Sequence, residues 1–79
     1  MMEIELKDDC YDKLLKHVPQ DSPTFAALEN APVTGNGRRL IVCSQRDVDL
    51  FLETAKQYFP FQVREIESAY TDWMKADLR

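Results

Sequence analysis

The chain reads as a small α+β domain, a two-stranded sheet packed by helices in the order β-α-α-β-α-α. Three observations predict it. Met2, Ile4 and Leu6 alternate with Glu3, Glu5 and Lys7, the period of a strand with one wet face. A second apolar run, Arg39 to Cys43, meets a helix start signal at Ser44 with nothing between them. Between and after these runs, apolar residues recur at helical spacing.

Taken in order, Asp8 or Asp9 is placed to cap the first helix after the first strand. Tyr11, Leu14, Leu15 and Val18 then fall at i, i+3, i+4 and i+7, and Pro19 stops the run. Asp21-Ser22-Pro23 opens a second helix, a capping side chain followed by proline at the first helical position. Phe25, Ala26 and Leu28 give it a small apolar face, and it ends near Asn30-Ala31-Pro32. Val33 to Gly37 is a turn, in which Asn36 and the glycines tolerate positive φ.

The second strand places Leu40 and Val42 on one face and Ile41 and Cys43 on the other. Apolar on both, it is predicted to be more buried than the first. Ser44 caps a third helix, and Asp47 sets a negative charge at its exposed amides. Val48, Phe51, Leu52, Ala55, Tyr58 and Phe59 cluster on one side of that helix. Pro60 forces a corner. Val63, Ile66, Tyr70, Trp73 and Met74 share a stripe, which predicts a fourth helix rather than a strand from Phe61 to Ile66. The pattern leaves the relative direction of the two strands open.

Composition bounds the function classes. The chain has 79 residues, 44% apolar and 30% charged, and reads as one globular domain over residues 1–79. A domain of this size buries only roughly 60% of its unfolded surface, so its core is thin. No apolar run reaches the roughly 20 residues that span a bilayer. The acidic, alternating N-terminus lacks the basic start and apolar stretch of a signal peptide, so the expectation is a cytoplasmic protein with no membrane contact. Net charge is −4: residues 1–30 hold seven acids and three lysines, whereas residues 31–79 hold seven of each sign. An acidic surface argues against nucleic acid as a partner. It suits a basic protein partner, or serves only solubility.

Cys43 is the one position with a claim to chemistry. It ends a strand just before a helix N-terminus, where amides stabilise a thiolate, and Arg46 lies within one turn. Against that claim, Cys43 also completes an apolar strand, and unpaired cysteine is among the most buried residue types. The phosphatase spacing of Cys, five residues and Arg fails because position 49 is Asp, and the redox dithiol spacing fails because position 46 is Arg. Cys10 and Cys43 lie thirty-three residues apart with no second Cys/His pair, so no structural metal is expected. His17, the only histidine, fits the last turn of the first helix, where a cation meets the dipole.

The remaining polar clusters have ordinary explanations. Asp8, Asp9, Asp12, Asp47 and Asp49 read as caps and solvated charge, with Asp12 four residues before Lys16 as a surface pair. Gly35-Asn36-Gly37 leads into a strand, whereas a phosphate cradle leads into a helix. Arg38 and Arg39 can pair with Glu3 and Glu5 on the other strand.

No complete catalytic constellation emerges, and no cofactor is implied. The leading expectation is a non-enzymatic protein-interaction or regulatory module that self-associates as a homodimer. Two strands make a marginal sheet alone, and a partner could complete it. Leu50, which falls on the polar side of the third helix, and Tyr70 and Trp73 on the fourth are the expected interface residues. The alternative is a thiol-dependent enzyme or redox sensor in which Cys43 reacts, Arg46 stabilises its anion and Cys10 resolves it. Nucleic-acid binding through Arg38, Arg39, Arg46 and Arg64 ranks last on charge.

Overall fold

The computed structural model describes residues 2–77, which form the predicted elements in the predicted order. Strand β1 (Met2–Lys7) pairs antiparallel with β2 (Arg38–Cys43), Met2 opposite Cys43 and Lys7 opposite Arg38. Between them run α1 (Asp8–His17) and α2 (Pro23–Glu29). After β2 come α3 (Gln45–Tyr58), a 3-10 turn (Pro60–Gln62) and α4 (Val63–Asp77). Residues 61–66 therefore belong to the turn and the fourth helix.

One face of the sheet is the floor of the core. Met2, Ile4 and Leu6 from β1 join Ile41 and Cys43 from β2 there. Leu14 and Val18 of the first helical segment, Leu28 of α2, Val48, Phe51 and Ala55 of α3, and Ile66 of α4 close over them. Phe51 is the largest side chain that is wholly enclosed. The Tyr11 hydroxyl adds a polar tie, donating to the Leu28 carbonyl at 2.6 Å and fixing α1 against α2.

Helix boundaries follow the sequence signals with one exception. Val18 leaves α1 with ψ 134°, the extended conformation that a following proline demands. Ser22 accepts from the Phe25 amide at 3.2 Å and Pro23 takes the first helical position of α2. At α1, neither Asp8 nor Asp9 caps. The strand runs straight into the helix, so Lys7 is the last extended residue, and its side chain makes no capping bond. Asp8 and Asp9 are already helical, and they favour the first turn through the dipole instead.

The second strand departs from expectation. Ile41 and Cys43 are enclosed, but Leu40 is only half-buried and Val42 is 43% exposed. The helices that close the core lie on one side of the sheet, so β2 has one covered face, as β1 has. The free edge of β2 is occupied by other means. The Leu40 amide donates to the Pro32 carbonyl at 3.0 Å and the Thr34 amide to the Arg38 carbonyl at 2.6 Å, with Val33 bridged to Arg39. This short return is closed by a turn in which Gly37 alone has positive φ, at 73°; Asn36 does not use its tolerance for that region.

Phe51→Ala is expected to cost about 3–5 kcal/mol, close to the whole stability of a small domain. Phe61, 73% exposed with the Lys13 ammonium over its ring, offers the control: Phe61→Ala should change stability by about 0.5 kcal/mol or less. Urea unfolding followed by circular dichroism checks both.

Candidate functional site

The strand-to-helix joint at residues 43–47 forms as its sequence predicts, and one carboxylate organises it. Asp47 Oδ2 accepts from the Ser44 amide at 2.9 Å and from the Ser44 hydroxyl at 3.0 Å. In return the Ser44 hydroxyl oxygen accepts from the Asp47 amide at 3.3 Å, which completes a reciprocal capping box. The other oxygen, Asp47 Oδ1, accepts from the Thr24 hydroxyl at 2.6 Å and so ties the first turn of α2 to the first turn of α3. Burial by itself would raise the Asp47 pKa. The donors from Thr24 and Ser44 and the nearby Arg46 charge outweigh it and hold the carboxyl below its usual range.

That arrangement decides the state of Cys43. Its side chain is fully enclosed, and burial followed by the Asp47 charge pushes the thiol up to about 12. The Ser44 amide already donates to a carboxylate and the Asp47 amide to the Ser44 hydroxyl. Arg46 is exposed and acts on Asp47. Cys10 is likewise enclosed, and burial together with the Glu65 carboxylate beside it raises its thiol strongly. Both cysteines are free thiols.

His17 is not brought to Cys43. It stacks on Tyr58, ring centroids 4.2 Å apart and planes within 6°. Tyr58 ends α3 and Cys43 precedes its start, so the helix of 14 residues holds the two sites roughly 20 Å apart along its axis. Spacing along the chain carries no signal for this stack. Among the described residues no group of three or more His, Cys, Asp and Glu side chains is placed to hold a metal ion, and no helix is long and apolar enough to cross a membrane.

The three residues expected at an interface are all half-buried and packed against the core. Leu50 therefore serves the fold, although it lies on the polar side of α3. The Tyr70 hydroxyl donates to Gln45 Oε1, which leans α4 on the start of α3. Trp73 differs from these two because it also lines a groove of about 670 Å³ between α4 and the outward face of the sheet. Leu40 and Ala69 share its apolar part; Glu3, Glu5, Lys7, Arg38, Arg64 and Asp72 supply charge of both signs.

The arginines are scattered. Arg39 donates to Asp8 Oδ1 at 3.1 Å and lies 4.8 Å from the Tyr11 ring centre, so the expected pairing with Glu3 or Glu5 is replaced by one across the strand-to-helix corner. Arg38 stands opposite Lys7 in the ladder. The helical surface pair that forms is Lys13 with Asp9, at 3.3 Å, one turn from the expected Asp12 and Lys16.

Comparison of the chain with protein-family models, with curated proteins and with solved structures finds no match.

Two measurements follow from the joint. Asp47→Asn should cost about 1 kcal/mol in urea unfolding at neutral pH, as loss of a cap does. Because the folded pKa lies below the unfolded value of roughly 3.9, the carboxylate stabilises the fold above that value. Its contribution is lost as pH falls through the folded pKa, so the gap between wild type and variant should narrow below about pH 4. Separately, alkylation of both thiols by iodoacetamide should be negligible in buffer and rise with the urea unfolding transition. Fast native-state alkylation of Cys43 would contradict its enclosed, protonated state.

Proposed function

We propose that this chain is a non-enzymatic protein-interaction or regulatory module of the cytoplasm that works as a homodimer. The observation that carries the reading is the outward face of the sheet. Leu40, Val42 and Trp73 present apolar surface there, flanked by charges of both signs, in a domain whose core lies on the opposite face and whose α4 walls this one along one side. A small apolar centre with a charged rim is the usual anatomy of a recognition surface. Trp73 is the one of the three expected contact residues that reaches it.

The thiol reading has no observation in its favour. A reactive cysteine needs a stabilised thiolate and access to solvent. Cys43 is enclosed beside a carboxylate, and Cys10 beside another.

Light scattering across a concentration series tests the proposal. The expected result is a mass rising from the 9.2 kDa monomer to twice that value. Trp73→Ala should shift the midpoint to higher concentration while the fold, followed by circular dichroism, is kept. A mass that stays monomeric up to near-millimolar protein would overturn self-association.

A further inference from the structure

We infer that two copies pack sheet face on sheet face, related by a twofold axis that crosses the strands. This rests on the self-association proposed above and assigns its surface and orientation.

The outward face is electrically polarised along the strands. At one end Lys7 stands directly opposite Arg38; Glu5 lies opposite Leu40, and at the far end Glu3 lies opposite Val42. Lys7 and Glu3 are separated by roughly 13 Å of strand. Like charges set directly across an antiparallel pair are unfavourable, and here the isolated chain keeps its cations at one end and its acids toward the other. Among the described residues Glu3, Glu5 and Arg38 make no ion pair, and the Lys7 contact with Glu65, at 3.9 Å, is long.

A second copy relieves this polarity. Rotation about an axis across the strands reverses strand direction, so the cationic end of one copy is brought to the acidic side of the other. Rotation about an axis along the strands would stack cation on cation, so charge selects the first orientation. The axis that suits it passes between the Lys7–Arg38 row and the Glu5–Leu40 row. Glu5 of one copy then faces Lys7 of the other, with Arg38 one strand spacing to the side, about 4.8 Å. Leu40 then faces Arg38 of the other copy, against the aliphatic stem of that arginine, and the twofold axis repeats the contact in reverse. Face packing rather than edge pairing is also what β2 permits, because residues 32–34 already bond to its free edge.

The test uses two charge reversals at the facing outward positions, Lys7→Glu and Glu5→Arg, in the full chain, with circular dichroism confirming that each is folded. Each reversal alone sets like charges together twice in its own dimer and should weaken it at least about a hundredfold. Mixed one to one, the two variants should dimerise again. The acid introduced at position 7 of one chain then faces the base introduced at position 5 of the other, and the unchanged Lys7 and Glu5 face each other at the second contact. Wild-type dimers should weaken as salt rises. If wild type is dimeric and both reversals dimerise equally well, the surface assigned here is wrong while self-association stands. A mixture that stays monomeric overturns the orientation. A monomeric wild type removes self-association and this interface with it.

Discussion

The carboxylate of Asp47 is the constraint on which the rest of the domain depends. One oxygen satisfies the amide and hydroxyl of Ser44 and fixes where β2 stops and α3 begins; the other holds Thr24 and with it α2. Three elements are thereby given one relative placement. The start of α3 sets the phase of Val48, Phe51 and Ala55, which must all face the sheet. A shift of one residue at the joint would rotate that stripe by about 100° away from the core. Enclosure in the core first, and the charge of this group second, hold the Cys43 thiol protonated. A helix N-terminus attracts an anion, and here the anion is internal and permanent, so a thiolate next to it would be repelled rather than stabilised.

Most of the fold was legible in the sequence because its signals are local. Strand alternation in residues 2–7, Ser22 before Pro23, and Ser44 before Asp47 each name an element boundary without reference to the rest of the chain. What could not be read depends on contacts distant in sequence. Asp8 and Asp9 look like caps, but the strand continues to Lys7 and leaves no non-helical position for them. Leu40 and Val42 look like core until the core is seen to lie on the other face. Thr24 carried no signal of its role, since its partner lies 23 residues away.

The candidate site was legible in parts. Trp73 is where the helical stripe places it, at the border of core and groove, while Leu50 is drawn into packing although its angle on α3 points elsewhere. A helical wheel assumes one partner surface. α3 touches both α1 and α4, so its apolar arc is wider than a single stripe. The polarity of the outward face was present in the sequence as Glu3, Glu5, Lys7 and Arg38. It gained meaning only when the antiparallel register set Lys7 beside Arg38.

The strip of residues 32–34 bound along β2 has a consequence for what this protein can build. An exposed strand edge is a template onto which further chains add, and a molecule with two such edges can polymerise without limit. Here one edge is stoppered from within by Pro32 and Thr34. The other strand, β1, has α4 packed against it, with Lys7 reaching Glu65 of that helix. Strand addition along β2 is thus blocked by nine residues of hairpin, Pro32 through Leu40, at the surface of a 79-residue chain.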